Sequence, residues 1–365
     1  MDHFKVPSDT AQVPIVWRYE LLKYLRSWRI IVSVLLSIVV LALIFLLPPA
    51  LGHPYSGTDT NIALDPIYDL GFPTPQFPYS SAAAIGRTGV DIKNMVVHVD
   101  GALYPESSWT LVNLEKDFPA LKSLLPGVTY AVLFKEDVTG KAVTATFDWR
   151  TTPEDFESFF VGFASILIII CATFFGADAL VGEFSNRTGY LIFPTPMKRH
   201  VLFSGKFMAS LTAGLIVIGI FYAGIGILSL IAAHGIDDHF LLSFAYALEY
   251  LLALTAVAYL ISSLMKGATG AIVLTFLLPL LIFNIIDGVF MMAGVKFEAS
   301  LTFSAGVIGY ILQEPYPVDT TIDHGGFTFA NYYPDPALSV IVMFAWAVVA
   351  VALSLVLFKR KQLSG

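Results

Sequence analysis

Between two long apolar runs the chain reads Gly176-Ala-Asp-Ala-Leu-Val-Gly-Glu-Phe-Ser-Asn-Arg-Thr-Gly-Tyr-Leu-Ile-Phe-Pro-Thr-Pro-Met-Lys-Arg-His-Val-Leu-Phe-Ser-Gly-Lys206, and this is where its reactive side chains concentrate. Asp178, Glu183 and Arg187 follow one another at steps of five and four residues, so a helix brings them within a turn of one another and allows i,i+4 pairing. Leu180, Phe184, Tyr190 and Ile192 are interspersed among these charges. The segment is therefore too polar for lipid but apolar enough to seat against protein. Pro194 and Pro196 stop a helix there, and Lys198, Arg199 and Lys206 lead back into apolar sequence. A short amphipathic helix held between two spans can pass a push from a docked protein into the membrane. The plainer reading is a solvated loop.

Two carboxylates lie inside apolar runs. Glu249 and Asp287 each cost roughly 2.5–3.5 kcal/mol if ionised at the centre of a span, so each is expected to face protein or a water-filled cavity. Tyr246 and Tyr250 are near Glu249 along the helix, and Asn284 precedes Asp287 by one turn. Glu249, Asn284 and Asp287 are candidates for the polar lining of a translocation path; a protonated interhelical contact is the rival reading. No apolar run contains a histidine, so no acid–base pair is visible in the membrane and no catalytic residue is assigned.

The remaining clusters carry less. His234-Gly-Ile-Asp-Asp-His239 holds two histidines and two aspartates, and reads as a solvated acidic turn with no metal assigned. Cys171 is the single cysteine, which excludes a disulfide framework and any cysteine-based zinc site. Ser204-Gly-Lys-Phe207 lacks both the upstream glycine and the hydroxyl residue of a phosphate-binding loop, so this chain is expected to bind no nucleotide in that way. Asn186-Arg-Thr188 matches a glycosylation sequon but falls on the side read below as cytoplasmic.

These residues need a scaffold, and composition says which. The 365 residues are 56% hydrophobic and 13% charged, against about 25% charged in an ordinary soluble domain. A soluble core of this size cannot hide that much apolar surface, so a bilayer must take the remainder. Six runs, at residues 30–51, 159–177, 207–233, 240–265, 268–293 and 337–358, reach or approach the ~20 residues that cross the hydrocarbon as a helix. They are too long and too evenly apolar for barrel strands. The first has too long a basic flank and too extended an apolar run for a cleaved signal peptide.

Most of the lysines and arginines fall on one side of this layout: Lys5, Arg18, Lys23, Arg26, Arg29, Arg187, Lys198, Arg199, Lys206, Lys266, Lys359, Arg360 and Lys361. The excess of basic residues in short inner loops places both termini, 1–29 and 359–365, and the 178–206 segment in the cytoplasm. Segments 52–158 and 294–336 are then extracellular. The net charge of −7 gives no reason to expect nucleic acid as a partner.

Residues 14–29 are expected to form an amphipathic helix at the membrane interface, with Trp17, Leu21, Tyr24 and Trp28 on one face and Arg18, Lys23, Arg26 and Arg29 around the remainder. In the 52–158 insertion, strand-like runs at Asn94–Val99, Thr129–Phe134 and Ala142–Phe147 indicate an α+β or mostly β domain. The last two runs flank Thr139-Gly140 as if in a hairpin, and residues 113–125 are helix-compatible. Ala299–Leu312 is apolar but too short to span, as in a re-entrant helix, and Pro315–Pro336 reads as ordered loop.

With these elements in place, the 176–206 segment resembles the permeases of ABC-2 type transporters. The matching pattern is Asp178 leaving the second span, then Glu183, the pair Thr188-Gly189, apolar Leu191–Phe193, Pro196-x-x-Arg199 and a closing Gly205-Lys206. The six spans, the basic amphipathic N-terminus and the acidic outer segments are similar to the same family; the 52–158 insertion departs from it. The resemblance implies an all-α polytopic membrane protein in the cell membrane, with an extracellular α+β insertion. It further implies an exporter permease paired with a second copy or paralogue. A separate ABC ATPase subunit would carry ATP and Mg and dock on a coupling segment that includes Asp178, Glu183, Arg187, Thr188, Gly189, Pro196, Lys198, Arg199 and Lys206. Two other readings are a sensor or assembly factor with a working ectodomain, and an intramembrane enzyme using Glu249 or Asp287.

Overall fold

The computed structural model describes residues 8–65, 67–71, 74, 77–85, 89–114, 117, 128, 130–185, 198–324 and 327–360. The chain forms two compact units, one of Phe45–Phe156 with Leu228–Ile236, the other of Met1–Ile44, Glu157–Ile227 and Asp237–Gly365.

Among the described residues, the first of these units has eight strands: β1 (Ser56–Ala63), β2 (Ile67–Asp69), β3 (Ser81–Ile85), β4 (Val90–Val99), β5 (Ala102–Leu103), β6 (Trp109–Asn113), β7 (Tyr130–Phe134) and β8 (Val143–Arg150). They form two antiparallel sheets in the orders β1-β8-β4-β5 and β2-β3-β7-β6. Val97, Ala145 and Phe147 of one sheet share a buried core with Ala83, Val132 and Phe134 of the other, which makes the unit a β-sandwich. Among the described residues the insertion is therefore β rather than α+β. Most of 113–125, where the sequence is helix-compatible, lies outside the described residues.

The expected hairpin between the last two strand-like runs does not form. Residues 130–134 are apolar on both faces, and Ala131 and Leu133 enter a second apolar cluster with Ala82 and Val112. A strand buried twice belongs in mid-sheet, between β3 and β6. Strand β8 alternates apolar and polar residues and is buried on one face only, between β1 and β4. The chain crosses between the sheets in 135–142, where Ser81 Oγ donates to Glu136 O at 3.0 Å and accepts from Val138 N at 3.2 Å. Gly89 closes the other end. Its φ is +62°, and a Cβ there would lie 1.7 Å from Arg150 O, so no L side chain fits.

The second unit is helical: α1 (Asp9–Leu25), α2 (Trp28–Ala50), α3 (Pro153–Val161), α4 (Ala164–Gly176), α5 (Val181–Ser185), α6 (Arg199–Ala232), α7 (Phe240–Leu264), α8 (Ala268–Leu277), α9 (Asn284–Met292), α10 (Leu301–Ala305), α11 (Val307–Tyr310) and α12 (Pro336–Arg360), some of which begin or end in the sandwich unit. Among the described residues, six stretches are long and apolar enough to cross a membrane: Trp28–Ala50, Pro153–Glu183, Arg199–Ala232, Phe240–Leu264, Ala268–Met292 and Pro336–Arg360. Helix α7 is central and packs on α4, α8, α10, α11 and α12. Small residues allow the approach. A Cβ on Gly176 of α4 would sit 2.8 Å from Ala258 Cβ of α7.

The fifth span is interrupted. Pro279 cannot donate to the helical ladder, and Leu278–Phe283 widens into a π-helical turn. The Asn284 side chain repairs it by donating Nδ2 to Pro279 O at 2.8 Å and to Leu280 O at 3.1 Å. Helices α10 and α11 are short and pack against the bundle through buried Leu301, Ala305, Val307 and Ile308. The 315–336 stretch is more than a loop, since β9 (Thr320–His324) and β10 (Phe327–Asn331) pair there as an antiparallel hairpin.

Helix α1 corrects the expected amphipathic face. It starts earlier than residue 14, ends at Leu25, and is separated from α2 by Arg26 and Ser27. Trp28 therefore opens α2, where it is 79% exposed. Trp17 and Tyr24 turn toward the bundle with Glu20, while Ile15, Tyr19, Leu22 and Leu25 face outward. The physical reason is Glu20, on the same face as Tyr24, whose carboxylate finds its partner inside the protein.

Candidate functional site

The end of the second span is held from two sides by ion pairs. Arg29, in the first turn of α2, grips Asp178 with both ends of its guanidinium, Nη1 to Oδ1 at 2.8 Å and Nη2 to Oδ2 at 2.6 Å; Nη1 also donates to Phe174 O at 2.9 Å. This bidentate geometry fixes direction as well as distance. Lys206, near the start of α6, has 2% of its side chain exposed and lies between two carboxylates. Glu20 Oε1 of α1 is 2.9 Å away and Glu183 Oε1 of α5 is 2.6 Å away.

Hydroxyls complete the network beneath these charges. Tyr24 and Ser210 both donate to Phe175 O, at 2.9 Å and 2.7 Å, and Ser210 Oγ shares a further hydrogen bond with Tyr259 OH at 2.8 Å. Burial pushes the Tyr24 hydroxyl up to about 12, so it remains a neutral donor. Ser262 Oγ of α7 accepts from the amides of Leu180 and Val181 at 3.1 Å and 3.0 Å, satisfying donors at the start of α5.

Helix α1 is drawn against α6 at the same place. A Cβ on Gly205 would meet Val16 Cγ1 at 2.5 Å, and Trp17 Nε1 donates to Thr212 Oγ1 at 3.1 Å. Lys198 Nζ pairs with Asp9 Oδ2 at 2.7 Å, and this bond holds the Asp9 carboxyl below the usual carboxylate range. Arg199 Nη1 donates to Phe358 O at 3.3 Å and Lys359 O at 2.9 Å, so a cation meets the carbonyls at the end of α12. The starts of α2 and α6 and the ends of α4, α7 and α12 thus meet around α5. These contacts put α1 and the last described turn of α12 at the same end of the bundle, as an even number of spans requires.

The structure brings together Asp178, Glu183 and Lys206 from the sequence-derived set, with Lys198 and Arg199 at the same end of the bundle. It leaves Arg18 and Lys23 of α1, and Arg26 in the break that follows, exposed. Arg187, Thr188, Gly189 and Pro196 lie outside the described residues. Asp287 Oδ2 accepts from Thr302 Oγ1 at 2.5 Å and Asn284 serves the π turn. Glu249 is half-buried, and among the described residues no hydrogen bond joins it to either.

Sequence reasoning missed Glu20, Arg29 and Tyr24 as partners, and it missed Ser210, Tyr259 and Ser262. Two signals were present: Glu20 is the one carboxylate between Thr10 and Asp59, amid a basic segment, and Lys206 begins an otherwise apolar span. Glu157 was also missed. It is fully buried and accepts the Asp237 amide on both carboxylate oxygens at 3.3 Å.

The profile of the ABC-2 family transporter proteins matches residues 15–363. The chain belongs to that family and is a multi-pass transporter membrane protein, an ABC-2 type permease. No curated protein matches it significantly.

Proposed function

We propose that this chain forms the translocation path of an ATP-driven exporter and takes its mechanical input from a separate ABC ATPase docked on the 178–206 segment. The partner carries ATP and Mg. A second copy or a paralogue of this chain completes the path, and the cargo is lipid-like, peptidic or otherwise amphiphilic. The termini and the 178–206 segment face the cytoplasm of the cell membrane, and the β-sandwich and the 294–336 segment face outward. Glu249, Asn284 and Asp287 remain the candidate path residues.

One observation carries this reading: Lys206 ties the segment after the second span, through Glu183, both to the third span and, through Glu20, to α1. A load applied to α5 reaches those helices through short, buried, charge-assisted bonds, which transmit displacement better than a solvated loop does. In this role Glu183 and Lys206 brace the docking segment from within, while Lys198 and the outward side of the segment meet the partner.

The test is transport-coupled ATP hydrolysis by the chain reconstituted with its ATPase. Glu183→Ala leaves the Lys206–Glu20 pair intact, so the complex should still assemble while coupled hydrolysis falls. Unchanged coupling, or labelling of residues 178–185 from outside intact cells, overturns the reading.

A further inference from the structure

Beside the ion-pair network, α1, the start of α2 and the Asp178–Glu183 stretch enclose a cavity of about 440 Å³. Its three carboxylates, Glu20, Asp178 and Glu183, are each already held by Lys206 or Arg29. Its remaining capacity is mostly donor. A guanidinium has five N–H bonds, of which Arg29 commits three to Phe174 and Asp178. Lys23 Nζ reaches Glu20 Oε2 only at 3.5 Å, and its side chain is 60% exposed. Tyr19 lines the same wall and is 71% exposed.

The outside of the cavity has two further properties. Arg18 on α1 and Arg26 just after it are exposed, and the helix's one carboxylate beyond Asp9 is the buried Glu20, so the helix surface around the cavity is cationic. Apolar Ile15, Leu22 and Leu25 on α1 and Ile31 and Leu35 on α2, the two helices that wall the cavity, are exposed. Uncommitted donors at the mouth of a cavity, aromatic residues of interfacial type (Tyr19, Trp28) and exposed apolar residues on the same helices are the parts that recognise a phospholipid, with phosphate on the donors and acyl chain on the apolar residues.

We propose that this cavity is a site for the phosphate of an anionic phospholipid headgroup, held by Lys23 and the uncommitted N–H groups of Arg29. The lipid then bridges α1 and α2 across the Arg26–Ser27 break, and membrane composition sets how firmly α1 is tied to Asp178. The inference rests on the reading that α1 lies at the membrane surface. Quenching by brominated lipid of a tryptophan introduced on the exposed side of α1 by Leu22→Trp tests that placement separately.

The site itself is tested on the detergent-purified full chain by native mass spectrometry, with dioleoyl phosphatidylglycerol and dioleoyl phosphatidylcholine as probes. Retention of phosphatidylglycerol over phosphatidylcholine is expected, and Lys23→Gln should weaken it about fivefold, the loss of one interfacial cation. Arg18→Gln removes a charge from the same helix outside the cavity wall and should change retention by less than about twofold. Equal losses in both variants would mean diffuse surface charge, and no loss in either would mean another site; both overturn the proposal. Displacement of the lipid by inorganic phosphate at equal concentration would make the occupant a soluble anion and overturn it too. No ATPase is present in this assay, so its failure leaves the coupling reading standing.

Discussion

Lys206 Nζ lies 2.6 Å from Glu183 Oε1 and 2.9 Å from Glu20 Oε1, with 2% of the lysine side chain exposed. One ammonium is thus the shared counter-ion of two carboxylates from different helices. Taking these charges out of water is costly, and attraction to the one ammonium offsets the cost only while the lysine is present. The triad is therefore sensitive to partial removal in a way that a surface ion pair is not.

Lys206→Met should leave Glu20 and Glu183 facing each other without a cation and destabilise the chain by about 3–5 kcal/mol. Thermal unfolding in detergent measures this. The triple variant Glu20→Gln, Glu183→Gln, Lys206→Met removes all three charges and should recover much of the lost stability. A single variant as stable as the parent would mean that the lysine is not the shared counter-ion.

Gly205→Val should force α1 away from α6, because the position of a Cβ there is already occupied by Val16, whose Cγ1 would be 2.5 Å away. Overpacking of this kind costs typically about 1–3 kcal/mol. Pairing it with Val16→Ala should restore part of the loss. Faster proteolysis of residues 9–25 in Gly205→Val, slowed again in the double variant, is the expected pattern; additive damage would argue against direct contact.

The β-sandwich should show an acid-sensitive limb traceable to Asp148. Thr58 Oγ1 donates to its Oδ1 at 2.5 Å and Asn94 Nδ2 to its Oδ2 at 2.8 Å, and these bonds hold the carboxyl below its ordinary range. The folded state thus favours the ionised form. The stability this lends is present above the unfolded carboxyl value of about 3.9 and is lost as pH falls through the lower folded value. Asp148→Asn should flatten that limb when proteolysis within 52–156 is followed against pH, and an unchanged limb would assign the acid sensitivity elsewhere.

The sequence by itself determined the number of spans and their helical nature, because a long uncharged run has one way to satisfy its backbone in lipid. It also located the polar segment after the second span, since Asp178, Glu183 and Lys206 stand out from apolar surroundings. The family resemblance read from that segment was likewise legible, for its residues are contiguous in the chain. What only the tertiary structure decided was partnership across distance. Glu20 and Lys206 are remote in sequence and meet because Gly205 lets two helices touch; no periodicity encodes that. For the same reason β7 and β8, neighbours in the chain, went to different sheets. Strand pairing is chosen by which faces can be buried, and that choice depends on β3, β6, β1 and β4, which a local reading of residues 129–147 does not contain.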